Sequence, residues 1–248
     1  MADPTRPQEP TMLTLLTFPA SLGEPSLSPF CTKAMCLLQM AGLDWKPELT
    51  FDLAAMPLGK LPVLKTDDGL IPDSNLMADW LEAQGIDLYP GRDAEGRAKA
   101  HLALRLAEEH LRLGLVHDRW VDEAGWQAFM PIVFSGVPEE KRETVAQGAR
   151  DAVRAGLHWQ GIARFSDADR QAYLSTDLAA LSALGEGHRF LFGETPCLAD
   201  ASVLAILSGI DHLPADTRLR RALREDRRLM DYIERGRAAL YAPLMQPA

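Results

Sequence analysis

The stretch Gly59-Lys60-Leu61-Pro62-Val63-Leu64-Lys65-Thr66-Asp67-Asp68-Gly69-Leu70-Ile71-Pro72-Asp73-Ser74 decides how the first third of the chain folds. Residues 61–66 are an apolar, partly β-branched run and read as a strand. Asp67-Asp68-Gly69 is a turn signal, and residues 70–72 form a short return strand, so the pair predicts a hairpin. Asp73 and Ser74 then carry side chains that cap a following helix. In that helix Leu76, Met77, Trp80 and Leu81 are expected inside, with Asn75, Asp79 and Glu82 outside.

Upstream, residues 12–18 predict a buried strand, and residues 19–27, rich in Pro, Ser and Gly, a loop. Ser28-Pro29-Phe30-Cys31 opens a helix that runs to about Gly42. Ser28 suits the N-cap and Pro29 the first helical position, where its missing N–H costs nothing. Cys31 lies one turn in, where the positive end of the helix dipole favours a thiolate. On this stretch alone the simpler reading, a cap and a small core cysteine, is the stronger. The helix is apolar on nearly every side, which predicts burial between a sheet and a second layer. Residues 45–51 predict another strand, and Pro47 places it at an edge. Strand, helix, strand, connector, hairpin, helix is the order of a thioredoxin-like domain.

Composition bounds the rest. A chain of 248 residues suits one large domain or two modest ones. Its net charge of -9, without a basic block, speaks against nucleic acid. Three cysteines, Cys31, Cys36 and Cys197, fit a reducing cytoplasm rather than a disulfide framework. They and the scattered histidines show no metal-ligand spacing, so no metal is expected. Residues 1–11 read as a disordered polar tail, neither signal nor transit peptide. No apolar run is long enough to span a membrane.

After a linker at residues 85–92, around Pro90-Gly91, strand signals stop. Residues 93–120 predict one long helix, with Leu102 among its inward positions. Gly136-Val137-Pro138 breaks the chain, and residues 139–162 form a polar helix. Ser166-Asp167-Ala168-Asp169 resembles a capping box opening another. A buried helix near residues 201–210 and two more, about 217–223 and 226–241, complete an all-helical remainder.

Gly59-Lys60-Leu61-Pro62-Val63-Leu64, followed by Gly69 and Asp73-Ser74, resembles the signature of the glutathione transferase superfamily. Phe190-Leu191-Phe192-Gly193 through Ala199-Asp200 resembles that family's helical-domain segment. The resemblance implies an α+β protein: a thioredoxin-like glutathione-binding domain over residues 12–84 and an all-helical glutathione-transferase domain over residues 93–248. It implies a cis Pro62, with the main chain of Leu61 pairing with the cysteine residue of glutathione. Asp73 would take the γ-glutamyl ammonium, Ser74 its carboxylate, and Lys60 part of the remaining charge. Ser28 stands where the omega class has a cysteine nucleophile, and would donate its hydroxyl to the thiolate of glutathione, the co-substrate. Cys31 takes the second position of a Cys-x-x-Cys pair, with a minor redox role as the alternative to an inert one. No tyrosine precedes Tyr89, so the tyrosine-dependent classes are not the pattern. Cys197 replaces the family's Ser or Thr cap, which predicts a half-made capping box with Asp200. Arg112, His117 and Trp120 are candidates for an apolar pocket that receives a small electrophile. A homodimer is expected. Glu109-His110-Leu111, Asp118-Arg119-Trp120 and the segment from Leu178 to Ser182 look like a bacterial branch akin to the failed axon connections and metaxin proteins. That kinship gives the alternative, a non-catalytic interaction module.

Overall fold

The computed structural model describes residues 12–245, so the expected tail at 1–11 lies outside it. Four strands, β1 (Leu13–Thr17), β2 (Trp45–Leu49), β3 (Val63–Thr66) and β4 (Gly69–Pro72), form one sheet in the order β2-β1-β3-β4. β1 runs parallel to β2 and antiparallel to β3, and β3 and β4 are the hairpin. β2 is the edge strand, with Pro47 opposite Leu15. Because successive side chains point to opposite faces, Leu15 and Leu64 enter the main core while Leu16 and Val63 pack with Leu61 and Cys31.

Helix α1 (Pro29–Met40) packs between this sheet and a second layer of helices. α2 (Ser74–Ala83) follows the hairpin. Its inner face differs from the expectation: Leu76 is exposed, whereas the Asn75 side chain turns inward to a buried lysine and glutamate. The segment from Gly85 to Arg92 is tied down, with Leu88 buried and its carbonyl accepting from the Leu198 N–H at 2.9 Å.

The long helix over residues 93–120 is α3 (Ala94–Leu106) and α4 (Arg112–Trp120), joined by a π-helical turn at Ala107–Leu111. Leu102, expected inside, is exposed. α5 (Glu123–Val133) is an addition: Gly125 and Pro131 hid it from the pattern, and the Asp122 side chain caps it through the Gly125 N–H. α6 (Glu139–Gln160) and α7 (Asp167–Leu184) follow, and Ser166 caps α7 as expected. α8 (Leu198–Asp211) is buried along its whole length. Each large aliphatic side chain so buried contributes about 1.5–3 kcal/mol, and α8 therefore organises the helical layer. Its capping box is made, correcting the half-made expectation. The Cys197 sulfur faces the first turn as a weak acceptor, and Asp200 Oδ2 accepts from the Cys197 N–H at 2.8 Å. Asp200 Oδ1 also accepts from the Leu191 N–H and the Tyr232 hydroxyl, and the Asp200 N–H is taken by the Cys197 carbonyl at 2.9 Å. α9 (Arg218–Glu225), α10 (Arg227–Gly236) and a π-helical turn at Arg237–Tyr241 close the description.

Candidate active site

Three segments meet at the start of α1. The first is the loop that delivers Ser28. Ser28 has extended backbone angles and its carbonyl accepts from Thr32 N–H at 3.0 Å, as an N-cap should, but its hydroxyl makes no capping bond. The Ser28 N–H is taken by Ser26 Oγ at 3.3 Å, and Ser26 Oγ donates to the Phe18 carbonyl at 3.0 Å. The hydroxyl reaches the Cys31 thiol but none of the first-turn N–H groups, so it is free of the capping role and can turn to another partner.

Cys31 is the small core cysteine of the simpler reading, not a thiolate. It is 0% exposed, and burial pushes its thiol up, against the main chain of Phe18 and the hydroxyls of Thr17, Ser28 and Ser26. Removing an anion from water outweighs the first-turn dipole here. A redox role at Cys31 therefore lacks both the charge state and the access it needs.

The second segment is the turn into β3. The Leu61-Pro62 bond is cis, and the Pro62 carbonyl accepts from Asp73 N–H at 3.1 Å. Leu61 is buried two residues before the first ladder residue, Val63, and Lys60 beside it is exposed. The third segment is the start of α2. Asp73 sits at φ 69, a left-handed conformation unusual without glycine, and its Oδ1 accepts from the Asn75 N–H at 2.7 Å. Ser74 is 1% exposed, and its hydroxyl has no partner among the described residues. A buried, unsatisfied hydroxyl at a helix N-terminus, next to an exposed carboxylate, fits an amino-acid head group: carboxylate at the helix, ammonium at Asp73.

Behind this end of α2 lies a polar cluster that no local pattern announced. Lys33 Nζ donates to Glu108 Oε1 at 2.5 Å and Asn75 Oδ1 at 2.7 Å. Asn75 Nδ2 donates to Glu108 Oε2 at 3.0 Å, and Ser202 Oγ to Glu108 Oε1 at 2.6 Å. The two charged side chains are 1% and 2% exposed. Burial alone would raise the Glu108 carboxyl, but Lys33, Ser202 and Asn75 together hold it below the usual range. Glu108 lies in the π-helical turn, so α1, α2, the turn and α8 are joined at one carboxylate.

The three expected pocket residues separate. Arg112 is half-buried, donates from Nε to the Glu108 carbonyl at 2.7 Å, and places its guanidinium 5.8 Å from the Phe30 ring. His117 is buried beside Asp118, on the helix face that looks toward Asp167 of α7. Trp120 packs on Trp126, Phe129 and Phe134. Only Arg112 is placed against the first turn of α1, because 100° per residue puts His117 and Trp120 on other faces. Arg119, two turns after Arg112, shares its side and was not singled out.

Comparison with known proteins gives the same frame. A profile of the glutathione S-transferase N-terminal domain matches residues 29–125, and one of the C-terminal domain matches residues 174–236. The chain is 30% identical over 234 residues to an isoprene-epoxide–glutathione S-transferase of Rhodococcus sp. (strain AD45), covering 91% of this chain and 98% of that one. Among solved structures it resembles a glutathione transferase of Phanerochaete chrysosporium, with TM-score 0.65 and 17% identity over 97% of this chain and 100% of the other. It also resembles a glutathione S-transferase of Rhodospirillum rubrum F11, with TM-score 0.58 and 20% identity over 96% and 93%. The two structural likenesses speak to the fold. The near full-length identity to a transferase favours an enzyme over the non-catalytic module.

Proposed function

The chain belongs to the glutathione S-transferases, and from that premise we propose that Ser28 activates the thiol of glutathione for attack on a small hydrophobic electrophile, an epoxide foremost. The observation that carries the reading is the Ser28 hydroxyl, left without a capping bond at the start of α1. It would donate to the sulfur and favour thiolate over thiol. The main chain of Leu61 would pair with the cysteine residue of the tripeptide. Asp73 and Ser74 would hold its γ-glutamyl end, and Lys60 would lie near its remaining charge.

With an epoxide, the thiol proton leaves to solvent and the thiolate attacks a ring carbon. A C–S bond forms, a C–O bond breaks, and the alkoxide takes a proton from water. Arg112, near the Phe30 ring in the first turn of α1, would face that oxygen. The epoxide comes from the relative in Rhodococcus, which acts on isoprene epoxide by its name. In this reading residues 12–84 bind glutathione, 85–92 link, and 93–248 supply the electrophile side. We also propose a cytoplasmic homodimer. Leu76 and Leu102, both exposed, lie on α2 and α3, which line a groove with Asn75, His101 and Arg105.

Titration calorimetry with glutathione and turnover of isoprene monoepoxide beside other electrophiles test this in wild type and Ser28→Ala. Binding in both, with turnover falling in the variant, supports the proposal. No binding at millimolar glutathione, or equal turnover in the variant, rejects it.

A further inference from the structure

Arg119 is a buried guanidinium without a carboxylate of its own. It is 6% exposed, and burial lowers it to about 10, against Glu24, so it stays charged at neutral pH. Its one hydrogen bond among the described residues runs from Nη1 to the Leu27 carbonyl at 3.2 Å, and its Nε is buried without a partner. The guanidinium lies 5.0 Å from the Phe129 ring. It also reaches the first turn of α1: a Cβ on Gly209 would lie 3.7 Å from both Arg119 Nη2 and Pro29 Cγ. Burying an unpaired charge is costly, so its location calls for a cause.

The Leu27–Ser28 peptide supplies one. Its carbonyl is held by Arg119 and its N–H by Ser26 Oγ. A peptide unit gripped at both ends cannot swing, and that fixes the direction in which the Ser28 side chain leaves the main chain. The rest of the loop is pinned to the helical layer as well. Buried Glu24 accepts from Ser208 Oγ at 2.6 Å and Arg237 Nη1 at 2.5 Å, and Arg237 Nη2 donates to the Gly23 carbonyl at 2.8 Å. Glu24 is engaged through Oε1, with Oε2 buried and unpartnered among the described residues, so it offsets the charge of Arg119 across space without a direct ion pair.

We infer that Arg119 is a positioning residue for thiol activation, holding the Leu27–Ser28 peptide and adding its positive charge to the field at the glutathione sulfur. The inference rests on the proposed role of Ser28. The titratable group whose charge acts on Arg119 is Glu24 on the loop, itself faced by His212 at the end of α8 and by Arg237 at the C-terminal turn, while Arg112, His117 and Asp118 lie on the same helix as Arg119. α5 contributes Phe129, which does not titrate.

The test is an ultraviolet titration of the thiolate of glutathione bound to wild type, Arg119→Met and Arg119→Lys, with affinity measured alongside. The midpoint should rise by about one pH unit in Arg119→Met, a tenfold loss of thiolate near neutrality, as expected for a nearby charge acting through a protein-like dielectric. Affinity should change by less than about threefold, and Arg119→Lys should recover most of the shift. Should Arg119→Met not fold, Ser26→Ala releases the other end of the same peptide and should raise the midpoint by about half a unit. A wild-type midpoint in Arg119→Met, or in Ser26→Ala where the former does not fold, overturns the inference. A midpoint in wild type equal to that of free glutathione rejects the role of Ser28 itself.

Discussion

Lys33→Met should be one of the most damaging single changes in the N-terminal third that leaves the backbone untouched. It removes the cation that faces Glu108 at 2.5 Å, with both side chains almost wholly out of water. Breaking such a pair from one side costs about 3–5 kcal/mol, because the remaining charge stays buried. Glu108 keeps donors from Asn75 and Ser202, and Arg105 lies 3.6 Å away. These recover part of the loss, so about 3 kcal/mol is expected. That is a large fraction of the 5–15 kcal/mol that holds a typical domain together. Urea unfolding of wild type, Lys33→Met, Glu108→Gln and the double variant gives the cycle. The double variant, with no charge left to strand, should be more stable than Lys33→Met alone by about 1–2 kcal/mol. A loss under about 1 kcal/mol in Lys33→Met, or simple additivity in the double variant, would refute the buried pair as drawn. The pair also sets an acid limit. Glu108 is depressed below its ordinary 4.5, so the unfolded chain binds the proton first and stability falls as pH drops below that value. Glu108→Gln should lack this component.

Ser28→Ala should lower kcat/KM for conjugation by about 10²-fold, with the glutathione Kd little changed, since one donor to a developing anion is lost. Asp73→Asn should act the other way, weakening glutathione by about tenfold through the loss of a charge-assisted bond while leaving the bound thiol's titration in place. Cys31 should remain unmodified when native protein is treated with iodoacetamide and analysed by intact mass spectrometry, and should react only in denaturant. Rapid native alkylation there would contradict its burial and raised thiol.

What the sequence disclosed is what local chemistry controls. The cis bond at Pro62 lies where the family resemblance implies it, while the Asp67-Asp68-Gly69 turn and the Asp73 cap each set a backbone event at one place, and each occurs where the residues put it. Ser166 did the same for α7. The polar interior was not legible, because its partners are far apart in the chain. Lys33 and Glu108 are separated by 75 residues, Glu24 and Ser208 by 184, and Glu24 and Arg237 by 213. Nothing near Lys33 on α1 marks it as one half of a buried pair, and on α2 Asn75 reads as exposed for the same reason. At Cys31 two signals compete: the first turn favours a thiolate, while burial, which the apolar pattern of this helix indicates, decides for the neutral thiol. α5 escaped notice because a helix carrying Gly125 and Pro131 departs from local propensity, and its Trp126 and Phe129 pay for that by packing on Trp120.

A crystal structure of the protein with glutathione bears most directly on the account. The sulfur should lie within hydrogen-bond distance of Ser28 Oγ, the cysteinyl main chain alongside Leu61, and the γ-glutamyl carboxylate on Ser74. Glutathione bound with its sulfur turned away from Ser28, or seated in another cleft, would contradict it.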